Sequence, residues 1–191
     1  MFQFYSGKYG SALAGILDPP RSPNLGPGSP NQPIKGKLQH LTLQNAFMPH
    51  VVKNHDMAKA CLAGLWLYHD FLDESHAISQ GLHTPTGNYW HGLMHRREPD
   101  YSNSAYWYRR VGDHPIFASL CQSAMECAEA LPPSDPAHFL SNQSAWDPFA
   151  FIHLCESCCG SGSSTEALCR KIQGTEWELL FDYCFQETIK T

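Results

Sequence analysis

The chain has 191 residues, of which 42% are hydrophobic and 16% are charged, and its formal net charge is −5. This composition is typical of a globular protein and excludes the disordered and fibrous classes. The acidic balance argues against nucleic-acid binding, and no apolar run approaches the roughly 20 residues that cross a bilayer. Because the N-terminus lacks a basic start followed by an apolar stretch, we expect a cytoplasmic protein with no membrane partner.

The first 48 residues have little regular pattern. Six of the 14 prolines lie between Pro19 and Pro33, and proline removes backbone donors and restricts the residue before it. We therefore predict a single domain over residues 1–191, with an extended proline-rich N-terminal arm over 1–48 and a helical body over 49–191. Polar and apolar residues alternate over 40–44, which predicts a short strand there.

A helical pattern begins after Asn54, which is a good N-cap residue. Apolar residues recur at three-four spacing as far as residue 80, and Gly81 can end the helix. We therefore predict one helix over 54–80. His69 and His76 fall on its apolar face, which should point inward.

The rest of the chain predicts further helices separated by proline- and glycine-rich breaks. Residues 84–87 (Thr-Pro-Thr-Gly) precede the next helix, Ser102 or Asn103 can cap another, and Gly174 can interrupt the last one. The predicted fold class is all-α, an irregular helical bundle. The predicted helices span residues 89–97, 103–110, 116–131, 147–159 and 165–189.

Reactive side chains are concentrated in residues 88–112. This segment combines two histidines, two arginine pairs, two carboxylates, four tyrosines and two tryptophans. A surface segment has no need of so many aromatic residues, and a core segment tolerates so many charges only if they pair. We predict that the segment forms one wall of a functional pocket.

His91 and His95 lie four residues apart and so share one face of a helix, which is the separation used when a helix supplies two metal ligands. Gly92 stands where the zinc-protease motif needs glutamate, so that motif is excluded. A third ligand can come from the preceding helix, where His69 is our first choice and Asp73 and His76 are alternatives. The site would bind a divalent metal ion. The competing interpretation is a polar core network that holds both histidines.

The same segment contains candidates for acid–base chemistry and for ligand binding. Glu98 and Asp100 are candidate catalytic residues together with His91 and His95. The guanidinium group matches carboxylate and phosphate oxygens, and aromatic rings stack on flat ligands. Alternatively, the arginines form an ion-pair network between two short helices. The candidate ligand-binding residues are Arg96, Arg97, Tyr101, Asn103, Trp107 and Arg109.

The eight cysteines predict buried free thiols, because the chain shows no secretory signal. Cys155 and Cys158 form a Cys-x-x-Cys motif without the second pair of a zinc ribbon or the βαβ pattern of thioredoxin. A Cys/His metal site that adds His153 and Cys169 remains an alternative.

The block from Tyr89 to Gly112 resembles one carried by a family of bacterial and fungal proteins of uncharacterised activity. Its pattern is Trp-His-x-x-Met-His-Arg-Arg-Glu, followed by Tyr-Trp-Phe-Arg-Arg-Val-Gly, and Tyr108 stands where phenylalanine is expected. The resemblance covers about 25 of the 191 residues. It implies a family and no mechanism.

Three functions follow from these observations. The leading hypothesis is an enzyme that acts on a small polar molecule, either anionic or sugar-like, with a histidine as acid–base group or metal ligand. The second is a non-catalytic protein that binds or senses a small ligand in the same pocket. The third is a structural ion-pair core in residues 88–112, with the proline-rich arm binding a partner.

Overall fold

The predicted all-α class is confirmed. A computed structural model describes residues 2–190, and within that range there are nine α-helices, three short 3-10 helices and no β-strand. The α-helices are α1 (Ser11–Leu17), α2 (Lys35–His40), α3 (His55–Tyr68), α4 (Leu72–Ser79), α5 (Pro85–Arg97), α6 (Tyr101–Tyr108), α7 (Phe117–Ala128), α8 (Pro148–Cys158) and α9 (Ser164–Ile189).

Side-chain caps set the start of several helices, because the first N–H groups of a helix have no partner inside it. Asn54 caps α3, as predicted, by accepting two backbone hydrogen bonds. Asp147 caps α8 in the same way. Thr84 caps α5, so this helix begins at Pro85, one turn before its predicted start at residue 89. The proline lacks only an N–H that the first turn does not use.

The single helix predicted over 54–80 is instead two helices, α3 and α4, which are separated by Asp70. The φ angle of Asp70 is 64°, a left-handed conformation that ends a helix. The Asp70 carboxylate forms ion pairs with Arg97 and with Arg21 (2.8 Å). Both arginines are distant in sequence, so the local pattern contains no sign of this break.

The strand predicted over 40–44 does not form among residues 2–190. α2 ends at His40, and the next residues form a turn held by Asn45. Its side-chain oxygen accepts from the Thr42 N–H (2.8 Å), and its amide donates to the His40 oxygen (2.8 Å). The alternation of leucine and polar residues therefore reflects alternating burial in a turn.

The long helix α9 is central to the core and runs without interruption through Gly174. Trp177 of α9 stacks on Phe181, with 4.9 Å between ring centroids, and its indole N–H donates to the Gly64 oxygen of α3 (2.9 Å). Trp90 of α5 is completely buried and also packs against Trp177. α3, α5 and α9 therefore share one aromatic core, against which α4 and α6 are placed.

The N-terminal arm lies against the helical body and carries α1 and α2. Tyr9 and Leu25 are buried in the common core. The backbone oxygens of Ser22, Asn24 and Gly26 accept hydrogen bonds from side chains of α5 and α9. Proline removes backbone donors and leaves acceptors free, which suits this mode of attachment. The segment that we considered as a partner-binding arm is thus engaged by its own chain.

Candidate metal centre

Three imidazole rings meet where α4 packs on α5. His76 lies on α4, and His91 and His95 lie one turn apart on α5. One ring nitrogen from each residue can be chosen so that all three nitrogens lie within 4.8 Å of one another. The rings of His91 and His95 are nearly parallel at 4.8 Å, while His76 is edge-on to both. Three imidazoles on two packed helices form a candidate set of histidine ligands for one metal ion.

His91 is the most unusual member of this cluster. It is 2% exposed, and neither of its ring nitrogens has a hydrogen-bond partner within residues 2–190. Trp107 of α6 stacks on the ring at 3.9 Å between centroids and covers one of its faces. A buried polar group without a partner costs free energy. The two ring nitrogens of His91 therefore need a partner other than the described side chains and backbone.

His95 is held in place by two side chains. Its Nδ1 lies 3.0 Å from a carboxylate oxygen of Glu98, the residue that ends α5. The side-chain amide of Asn103 lies 3.1 Å from Nε2, the ring nitrogen that Glu98 leaves for a metal ion, so metal binding through Nε2 would displace this amide. Glu98 is half exposed and so connects the buried ring to solvent. A carboxylate on the outer nitrogen of a histidine is the usual way to orient a metal-binding imidazole.

The surroundings keep His91 and His95 neutral. Burial is the main cause that lowers the pKa of His91 to about 3, and the neighbouring rings of His95 and His76 add to it. Burial also lowers the pKa of His95, against the raising effect of Glu98. Only a neutral imidazole has a lone pair for a metal ion, so the low pKa values of His91 and His95 favour metal binding by these two rings at neutral pH.

A close approach of α5 and α6 brings Trp107 and Asn103 to the cluster. A Cβ atom at Gly92 would lie 2.7 Å from the ring of Tyr108, so only glycine fits there without a shift of the tyrosine. Ser104 of α6 donates to the Gly92 oxygen at 2.7 Å. The glycine that replaces the glutamate of the zinc-protease motif therefore has a packing role.

The structure places His69, our first choice for the third ligand, outside the cluster. Its Nε2 lies 3.0 Å from the Ile16 backbone oxygen, and its Nδ1 lies 3.0 Å from the Asn31 side-chain nitrogen. Both ring nitrogens are therefore used to join the arm to the body. Of the two alternatives, Asp73 is exposed and His76 occupies the third position. The break at Asp70 changes which residues of α4 face α5.

Asp100, predicted to be catalytic, is the N-cap of α6. Its carboxylate accepts hydrogen bonds from the Asn103 N–H and the Ser102 hydroxyl, both at 3.1 Å. The first of these bonds is the main reason that the pKa of Asp100 lies below its ordinary value. Asp100 therefore acts on the site through the helix that it starts, since α6 carries Asn103 and Trp107.

Arg96 and Arg97, predicted to bind a ligand, are both in buried ion pairs. Arg96 is fully buried against Glu176 of α9, which also accepts hydrogen bonds from the hydroxyls of Tyr89 (2.9 Å) and Tyr108 (2.8 Å). Arg97 pairs with Asp70 and donates to a backbone oxygen of the arm (3.1 Å). Both guanidinium groups are therefore in ion pairs, as the alternative interpretation held, but their partners Glu176 and Asp70 lie outside α5 and α6, so these pairs do not join the two short helices.

The remaining predicted ligand-binding residues lie on two different sides of α6. Asn103 and Trp107 face the histidines, whereas Tyr101 and Arg109 line a groove of about 670 Å³ between α6 and α8. The groove also contains Phe149 of α8. The segment 88–112 therefore does not form one wall of a single pocket, because residues on opposite sides of α6 face two separate sites.

The eight cysteines, all within the described part of the chain, are free, and six of them are buried. The sulfur atoms of Cys158 and Cys169 lie 3.8 Å apart. The side chain of His153 is 79% exposed and pairs with Glu156, so the structure does not bring it into a Cys/His cluster.

Comparison of this chain with models of known families, with curated proteins and with solved structures finds no match. The family resemblance of the block from Tyr89 to Gly112 therefore stays a prediction. Across residues 2–190, no helix has the length and apolar character that a membrane span requires.

Proposed function

We propose that this protein binds a divalent transition-metal ion through His76, His91 and His95, with zinc as the first choice, and acts as an enzyme on a small polar molecule. The observation that carries the proposal is His91, which is buried beside two further imidazoles with both ring nitrogens unpaired in the described chain. A bound ion would satisfy one of these nitrogens and offset the cost of burying it.

The number of ligands favours a catalytic site over a structural one. Structural zinc sites are closed by four protein ligands, whereas catalytic sites use three and leave one position for water or substrate. Nitrogens bound to a tetrahedral zinc ion lie about 3.3 Å apart, given Zn–N bonds of about 2.0–2.1 Å. One chosen nitrogen from each ring lies within 4.8 Å of the other two, so the side chains would have to turn toward a common point to reach that spacing. Since Arg96 and Arg97 are engaged in ion pairs, neither would hold the substrate.

The test is the metal content of the purified protein, measured by plasma mass spectrometry and by titration with Co²⁺, whose visible absorption reports tetrahedral coordination. We expect about one ion per chain in the parent and loss of the ion in His76→Ala, His91→Ala and His95→Ala. His69→Ala and His153→Ala are matched controls that should keep the metal. The absence of binding after incubation with Zn²⁺ and Co²⁺, or equal binding by the three cluster variants, would contradict the proposal.

Glu98 gives a second prediction for the same site. Loss of a residue that orients a metal-bound histidine lowers metal affinity by about 10- to 100-fold. Glu98→Gln should therefore weaken Co²⁺ binding by about this factor while the melting temperature of the metal-free protein stays close to that of the parent, since the side chain is half exposed. Unchanged Co²⁺ affinity would show that Glu98 has no such role.

A further inference from the structure

A separate cavity lies between α7 and the segment 143–146. Its volume is about 320 Å³, at the lower end of the range for small-molecule sites. Phe117, Cys121 and Met125 of α7 form one wall, and Gln143 and Trp146 belong to the other. No residue of the histidine cluster lines it.

Three polar atoms of this second wall are buried and unpaired. They are the two amide atoms of Gln143 and the indole nitrogen of Trp146, which have no hydrogen-bond partner anywhere in residues 2–190. Trp146 itself is only 6% exposed. Buried donors and acceptors are nearly always paired in native proteins. The three atoms are also closed off from solvent, so a ligand in the cavity would complete them once the two side chains turn toward it.

The polar groups define the hydrogen-bonding pattern that such a ligand would need. The Gln143 amide offers a donor and an acceptor side by side, and the Trp146 indole offers a second donor. The opposite wall is mostly apolar, with Phe117 and Met125, and its one polar amide is that of the exposed Gln122. Burial raises the pKa of the Cys121 thiol, which therefore stays uncharged at neutral pH.

The charge of the cavity disfavours an anion. Asp113 is one of its lining residues, and among the residues described no lysine, arginine or histidine lines it. Ser144 and Ala145 are exposed, so the segment 143–146 forms a thin outer wall. A rotation of the Gln143 side chain would turn its amide toward the cavity.

We propose that this cavity binds a neutral, planar heterocycle that presents a hydrogen-bond donor next to an acceptor, as nucleobases and other cyclic amides do. The heterocycle would lie between Phe117 and the segment 143–146, with its polar edge paired to the Gln143 amide. A glutamine amide can make two such bonds with one edge.

The test uses uracil, cytosine and adenine as probes, with binding to the full chain measured by calorimetry and by thermal shift. 1,3-Dimethyluracil is the matched probe, because it keeps the planar ring and lacks both N–H donors. We expect at least one of the three probes to bind and to raise the melting temperature, and dimethyluracil to bind at least about tenfold more weakly. Equal binding of dimethyluracil, or no binding of any probe, would overturn the proposal.

The variant Gln143→Met keeps the length of the side chain and removes both polar atoms. We expect it to lose about tenfold or more in probe affinity and to melt a few degrees higher than the parent, because unpaired buried atoms destabilise the empty protein. Gln186→Met, at an exposed position of α9, is the control and should change neither quantity. A lower melting temperature for Gln143→Met would mean that the amide is already paired, and the proposal would fail.

Discussion

Glu176→Gln should lower the free energy of unfolding by about 3–5 kcal/mol, the usual cost of leaving one partner of a buried ion pair alone. Arg96 and Glu176 are both fully buried, so the uncompensated guanidinium group could not reach water. The hydroxyls of Tyr89 and Tyr108 would also lose the charged oxygen to which they donate. Burial raises the pKa of both tyrosines and keeps these hydroxyls protonated. Urea denaturation followed by tryptophan fluorescence would measure the change.

Two further variants test the cause of this loss. Glu129→Gln, at an exposed position beyond the end of α7, should change the free energy of unfolding by less than about 0.5 kcal/mol. The double variant Arg96→Met with Glu176→Leu should recover a large part of the stability, since apolar residues can replace a buried pair. The single variants Arg96→Met and Glu176→Leu complete the comparison. If the double variant loses as much stability as these two variants lose together, the pair is not coupled.

Acidification from pH 7 to pH 4 should remove about 3 kcal/mol of stability for each of two buried histidines, His69 and His114. Burial lowers the pKa of each to about 4, against about 6.5 in an unfolded chain. Between these values the unfolded state binds more protons than the folded state, so stability falls as the pH falls and levels off below pH 4. Each unit of lowered pKa is worth about 1.4 kcal/mol.

The hydrogen bonds of His114 are those of a neutral ring, and burial is the main cause that lowers its pKa. Its Nδ1 faces the Ile116 backbone N–H (3.5 Å), which requires an acceptor, and its Nε2 lies 3.1 Å from the Thr86 hydroxyl. Stability measured by urea denaturation at several pH values should depend less steeply on pH in His114→Gln than in the parent. His153→Gln, at an exposed position, should leave the slope unchanged. An equal slope in His114→Gln would contradict the assignment.

The candidate metal centre was partly predictable because two of its ligands lie on one helix. The spacing of His91 and His95 places them on one face wherever α5 packs. The third ligand depends on the break at Asp70, which ion pairs with Arg21 and Arg97 impose. No local propensity reports these pairs, and a continuous helix over 54–80 would have placed His69 and His76 on the same inward face.

The partners of the arginines were also unpredictable, because they lie far away in the sequence. The sequence allowed Arg96 either to bind a ligand or to join an ion-pair network, and Glu176, 80 residues away, decides for the network. The cavity beside Gln143 could not be predicted from the sequence. Its walls come from α7 and a loop, and an isolated glutamine and tryptophan match no motif.

The sequence by itself determined the all-α class, the cap at Asn54, and the shared helical face of His91 and His95. These features depend on residues within a few positions of one another, where helix geometry fixes the outcome. The tertiary structure alone decided the partner of each buried charge and the place of His76 beside α5. It also decided which residues of α6 face the histidines and which line the groove beside α8. These depend on which helices meet, and that choice is made by packing over the whole chain.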